Sequence, residues 1–206
     1  SADSVVSSDD IDVLPTVPNQ DNSRYITVEN DVYSAVFSEV TASLVDLKLK
    51  KYKESTSSES EYVSLLDINK KINSLVLSGS KDFSVIGEAT YKVSENSDNI
   101  VVNKEKFEIS FISVVDKIQI IKKFVFYQDK YDFDCNIELK NISDASINGK
   151  VILSLSNFWS EETKGNRLEF VGPVYFSEDE LTTVDVEDIN SDVSSQVIWS
   201  GYENKY

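Results

Sequence analysis

Hydrophobic and polar residues alternate most regularly in residues 117–141, KIQIIKKFVFYQDKYDFDCNIELKN. In the second half, Tyr131, Phe133, Cys135, Ile137 and Leu139 share one phase, and Asp132, Asp134, Asn136, Glu138 and Lys140 share the other. Successive side chains on a strand point to opposite faces, so this arm predicts a strand with one dry and one wet face. Residues 118–127 are rich in the β-branched and aromatic types that fit a pleated sheet. Ile118, Ile120, Phe124 and Phe126 share a face, while Ile121, Val125 and Tyr127 make the opposite face partly apolar. That pattern is expected of a central strand covered above and below. Gln128, Asp129 and Lys130 form the polar break, so the stretch predicts a hairpin at the middle of a large antiparallel sheet.

The rest of the chain reads as packing on this hairpin or extending it. Residues 25–29 and 32–39 predict two strands around an Asn30-Asp31 turn. Residues 43–52 alternate, with Val45, Leu47 and Leu49 on the dry side and Leu44 the one apolar residue in the wet phase. A polar, low-complexity loop follows at 53–61. Short extended pieces are expected at 62–66, 75–77, 83–86, 90–93 and 100–102, and a longer strand at 106–115. Beyond the hairpin, residues 149–159 read as a strand, 168–176 as an extended segment broken at Gly172-Pro173, and 196–202 as a final strand. Ser177 before Glu178-Asp179-Glu180 resembles a helix N-cap with acids in the first turn, so short helical turns are expected there and at 186–190. Turn signals at short, regular spacing and the absence of a sustained helical period predict an all-β, antiparallel sandwich or barrel. Residues 1–24, with five aspartates and two of the three prolines, read as a flexible acidic linker, leaving 25–206 as one β domain.

Composition narrows the function. A hydrophobic content of 40% supports a real core, and 206 residues suit one large β domain or two small ones. The net charge of −16 argues against nucleic-acid binding and against a basic patch for anionic lipid. With no histidine, the chain lacks the commonest general base and metal ligand, and with them every Ser-His or Cys-His nucleophile. Its one cysteine, Cys135, rules out a disulfide within the chain and reads as a small core residue on an apolar strand face rather than a reactive thiol. No apolar run reaches the roughly 20 residues that span a bilayer. A chain that begins Ser-Ala and contains no methionine is expected to be a soluble piece excised from a longer protein.

Few residues suggest chemistry. Glu161 and Glu162, adjacent on a loop beside Trp159, are a solvated patch rather than the facing carboxylates of a glycoside hydrolase. The acids at Glu178, Asp179, Glu180, Asp185, Glu187 and Asp188 do not have the spacing of a calcium loop. Phosphate-cradling glycine loops are absent from the sequence. The expectation is therefore no catalytic residue, no cofactor and no metal. Trp199, Tyr202 and Tyr206 cluster near the end of the chain and read either as ordinary packing or as a membrane-proximal aromatic belt.

Three segments carry a family resemblance. Ile26-Thr27-Val28 and Asn30-Asp31 stand at the positions of an I-x-V-x-[NT]-D opening. Lys122, Phe124, Phe126, Tyr131 and Phe133 fit a K-x-F-x-[FL]-x-x-x-x-Y-x-[FV] pattern, and Phe170, Gly172 and Tyr175 fit F-x-G-x-x-Y before an acidic stretch. In order and spacing these resemble the periplasmic domain of the YidC membrane protein insertases, over nearly the whole chain after Arg24. The chain departs from that pattern at Glu39-Val40-Thr41, where many relatives carry Arg-Gly-Gly, and at Val197-Ile198, where Gly-Gly is frequent. The resemblance implies a β-supersandwich of the galactose mutarotase type, lying on the periplasmic face of the inner membrane between two membrane segments. It also implies a non-catalytic scaffold or contact surface for Sec translocon subunits and inserting membrane proteins, with residues 177–206 leading to the membrane domain. Mutarotase-type catalysis needs a histidine that this chain lacks, so the likeness implies architecture and not activity. A carbohydrate-binding or sugar-processing module is the alternative, and it requires a groove with exposed aromatic rings and converging carboxylates.

Overall fold

A computed structural model describes residues 23–158, 170–177, 179–185 and 196–203. In chain order the strands are β1 (Tyr25–Glu29), β2 (Tyr33–Ser38), β3 (Ser43–Lys53), β4 (Tyr62–Leu66), β5 (Val76–Gly79), β6 (Lys92–Val93), β7 (Asn99–Val101), β8 (Lys106–Val115), β9 (Ile118–Tyr127), β10 (Phe133–Asn141), β11 (Val151–Ser154), β12 (Gly172–Ser177), β13 (Glu180–Thr183) and β14 (Trp199–Glu203). They form a five-stranded sheet ordered β4-β3-β2-β1-β7, a four-stranded sheet ordered β10-β9-β8-β6, a β11–β5 pair and a three-stranded sheet ordered β13-β12-β14. The all-β reading is correct in class and, across the first two sheets, in its antiparallel character. The exception there is β7, which runs parallel to β1.

The predicted hairpin is β9–β10, antiparallel and in continuous register from Phe133–Phe126 to Asn141–Ile118. Its inner face carries Ile118, Ile120, Phe124 and Phe126, all buried, with Phe133, Cys135, Ile137 and Leu139 packed beside them. They meet Ile26, Val28, Ala35 and Phe37 of the five-stranded sheet in one core. Phe37 lies at the crossing, with ring centroids 4.7 Å from Phe124, 5.7 Å from Phe126, 6.1 Å from Phe111 and 6.2 Å from Phe133. These separations and tilts are those aromatic pairs prefer, so the two sheets are joined by ring packing as well as by area. The opposite face of β9 is covered only in part, with Val125 buried and Ile121 and Tyr127 half-buried. Next to it on β8, Ile112 and Val114 stay exposed.

Leu44, in the wet phase by position, is buried because the pairing of β2 with β3 slips there. Val36 pairs with Asp46 and Phe37 with Leu44, which leaves Val45 as the extra residue of a β-bulge. The slip shifts the alternation by one position, so Leu44 enters the core while Leu47 and Leu49 still pack against it. Two other segments differ from their sequence reading. Residues 83–86, expected to be extended, lie in a 3-10 helix (Lys81–Glu88), and a second short 3-10 turn (Ile68–Lys70) lies between β4 and β5. The helical turn expected at Ser177 is instead the turn between β12 and β13, where Asp179 takes a left-handed φ of 65°. Pairing of Ser177 with Glu180 across that turn outweighs the cap-like spelling. The second expected helix, 186–190, lies outside the described residues, as do positions 1–22 of the expected linker. Arg24 is held, donating from Nε to Asp98 at 2.5 Å and from a terminal nitrogen to the Glu95 carbonyl at 3.0 Å.

Asn30 ties the two sheets at the turn the sequence singled out. Buried, it donates from Nδ2 to the carbonyls of Tyr127 and Lys130, both at 2.8 Å, and accepts at Oδ1 from the amides of Val32 and Tyr33. Every hydrogen-bonding position of the amide that matters here is used, so an apolar replacement strands four backbone groups. Asn30→Ala is expected to cost about 2 kcal/mol in denaturant unfolding, a net loss smaller than the bond count because water can reach this turn. An unchanged midpoint would contradict the tie.

Candidate functional site

In the C-terminal sheet, β12 lies between β13 and β14, pairing Phe176 with Leu181 on one side and with Trp199 on the other. Directly opposed residues share a face, so Leu181, Phe176 and Trp199 form one apolar row across three strands. The rings of Phe176 and Trp199 stack with centroids 6.0 Å apart and planes within 10°. Leu181 and Trp199 are nonetheless 52% and 48% exposed, and Ile198 beside them is exposed as well. The strands around this row carry Asp179, Glu180 and Glu203, and residues 168–201 contain no lysine or arginine. An apolar row with an acidic rim suits an apolar polypeptide better than an anionic lipid surface.

The aromatic cluster expected from the sequence divides. Trp199 and Tyr202 are three residues apart on one strand, which puts them on opposite faces. Tyr202 pairs with Pro173, and its hydroxyl is buried without a hydrogen-bond partner among the described residues. Burial pushes its phenol above the ordinary tyrosine range. Tyr206 lies outside the described residues. A second apolar stretch, missed as a surface, is β11. It pairs with β5 along residues 151–154, yet Val151, Ile152 and Leu153 are exposed, as are Leu155 and Phe158 beyond it.

The deepest polar group is one the alternation placed on the dry face without comment. Lys122 is in phase with Ile120 and Phe124 and is fully buried. Its Nζ donates to the carbonyls of Ala42 and, at 2.6 Å, of Leu75. Both acceptor residues have left-handed φ values, 47° and 62°, unusual for residues with a Cβ. The ammonium also lies 6.0 Å from the Tyr91 ring and 5.7 Å from the Phe124 ring. Lys122 makes no ion pair among the described residues, so burial lowers its pKa from 10.5 to about 8, opposed by the neighbouring Cys135. Burial pushes the Cys135 thiol up, which fits the core reading of that residue. The signal for Lys122 was a charged residue in the apolar phase of an otherwise dry strand face.

Among the described residues the features a sugar site requires do not converge. A cavity of about 270 Å³ is lined by Lys81, Asp82, Asp116 and Lys117 with small aliphatic and serine side chains, and no aromatic ring faces it. Exposed tyrosines occur elsewhere, at Tyr52, Tyr62 and Tyr131. There Tyr52 and Tyr131 contact each other and Tyr62 lies under the Lys53 ammonium, so their faces are not an open stacking platform. Glu161 and Glu162 lie outside the described residues, as do Glu178, Glu187 and Asp188. Among the described residues no three carboxylate, cysteine or histidine groups are grouped to hold a metal.

A family model described as the YidC periplasmic domain matches residues 25–206. Curated relatives of the same description, "Membrane protein insertase YidC", include those of Geotalea uraniireducens, 28% identical over 94% of this chain, and Geobacter metallireducens, 26% identical over 94%. A relative in Pasteurella multocida is 25% identical over 96% of the chain. The chain spans 38%, 37% and 37% of these relatives' own lengths.

Proposed function

Because the chain belongs to the YidC periplasmic domain family, we propose that it is the non-catalytic periplasmic part of a membrane protein insertase and works as a contact surface. The row Leu181–Phe176–Trp199 is the surface that touches inserting chains or translocon subunits. The observation that carries this reading is the exposure of Trp199 and Leu181 on either side of Phe176, in a stretch, residues 168–201, without lysine or arginine. Large apolar side chains left bare and adjacent mark contact sites more often than isolated ones do. The absence of histidine from the sequence favours a role through contact rather than proton transfer. Residues 177–206 connect this surface to the membrane domain.

Photo-crosslinking in the full-length protein tests the proposal. A benzophenone side chain at position 181 or 199 is expected to capture an inserting membrane protein or a translocon subunit. The same probe at Asn136, on the exposed face of β10, is expected to capture neither. Equal capture from Asn136, or none from the C-terminal sheet, would remove this surface from the function.

A further inference from the structure

The geometry points to an oxidative modification site at Tyr52 and Tyr131, whose rings are placed to couple into an intramolecular dityrosine that staples the two sheets together. Tyr52 is near the end of β3, in the five-stranded sheet, and Tyr131 is in the turn between β9 and β10, in the other. Their ring centroids are 6.1 Å apart with planes at 54°. Rings at that separation and tilt are in contact, and the ring carbons next to the phenol oxygens are the ones that join in a biphenol. Both rings are open to small oxidants, at 54% and 47% exposure.

Both tyrosines are held by neighbouring backbone. Asn30 donates to the carbonyl of Lys130, the residue before Tyr131. Lys50, two residues before Tyr52, donates from Nζ to the Asn30 carbonyl at 2.7 Å, and its backbone amide donates to the Val32 carbonyl. A chain of hydrogen bonds from Lys50 through Asn30 to Lys130 thus fixes the two supporting segments against each other. Pre-set geometry of this kind favours coupling within one molecule over coupling between molecules.

The oxidant is a peroxide acting through a one-electron peroxidase. Each phenol gives up one electron and one proton, and the two radicals join through a new carbon–carbon bond between the ring positions next to the oxygens. The hydrogens on those carbons then move to the oxygens, which restores both rings. Hydrogen peroxide takes up the two electrons and two protons as its O–O bond breaks, leaving two waters.

The test treats the dilute 206-residue chain with horseradish peroxidase and limiting peroxide. The monomer is expected to gain the blue fluorescence of a biphenol and to lose the mass of two hydrogens. Tryptic digestion is expected to join residues 52–53 to residues 131–140. The thermal midpoint of the crosslinked monomer should rise, because the bridge closes a long loop in the unfolded chain. Tyr52→Phe and Tyr131→Phe should each abolish the product, whereas Tyr62→Phe and Tyr127→Phe should leave its yield unchanged. Thermal midpoints of all four variants check that they fold. Products confined to covalent dimers, a junction mapping to other tyrosines, or full yield in folded Tyr52→Phe would overturn the assignment.

Discussion

Lys122→Ala is expected to lower the unfolding free energy by about 4 kcal/mol, enough to leave a domain of ordinary stability marginal or unfolded. Two effects add. The truncation opens a cavity between the sheets where the side chain is wholly enclosed. It also strands the Ala42 and Leu75 carbonyls, which Lys122 satisfies and which belong to residues in left-handed conformations. An unsatisfied buried acceptor costs roughly 1–3 kcal/mol. Lys122→Met separates the two effects. It keeps most of the volume and removes a charge that burial disfavours, so its cost should be smaller, about 1–3 kcal/mol. Urea unfolding of both variants measures the difference, and equal stability of Lys122→Ala and the parent would show that the lysine pins nothing.

The same residue predicts a pH profile. Its folded pKa, about 8, lies below the 10.5 of the unfolded chain. Between those values the unfolded state binds more protons, so stability rises with pH at up to about 1.4 kcal/mol per unit. The gain is complete above the unfolded value and disappears as pH falls through 8. Tyr33 and Tyr91 act in the other direction, because burial raises both phenols far above 10.0 and the unfolded chain ionises first. Stability is therefore expected to climb from pH 8 toward 10 and to fall beyond. In Lys122→Met the climb should be absent while the fall remains.

Phe37→Ala is the second large effect, expected at about 3–5 kcal/mol. The ring is fully buried and contacts Phe111, Phe124, Phe126 and Phe133, three strands of the facing sheet. Its loss removes apolar burial worth roughly 1.5–3 kcal/mol and leaves a space that rigid rings on both sides cannot close. Phe37→Leu fills part of that space and should cost less than half as much. Calorimetric unfolding of the two variants gives the comparison, and a loss below about 1 kcal/mol for alanine would mean the sheets are not joined through this ring.

Alternation made the central hairpin legible except at its turn, where Tyr131 and Asp132, in phase with the second arm, belong to the connection and Tyr131 is exposed. The bounds of β1, β4, β8 and β9 match the segments read from their apolar, β-branched and aromatic content. The bulge at Val45 was not legible, because its cause is a pairing slip with β2 that no local pattern records. Nor was β13, since Ser177 followed by acids satisfies a helix cap and a tight turn alike, and cross-strand pairing decides between them. The proposed contact surface was half legible. Trp199 stood out in the sequence as a candidate, but Leu181 and Phe176 join it only through registers spanning 23 residues between Phe176 and Trp199. Lys122 showed a plain signal, a cation in the dry phase, whose meaning depends on two carbonyls 80 and 47 residues away in sequence.

The most direct measurement is insertion efficiency by the full-length protein carrying Leu181→Ser, Ile198→Ser and Trp199→Ser together. These side chains are exposed, so the domain's own thermal midpoint should move by only a few degrees. Insertion of a dependent membrane protein and its crosslinks to this sheet are expected to fall together. Normal insertion with a fully folded, surface-stripped domain would contradict a function built on that row.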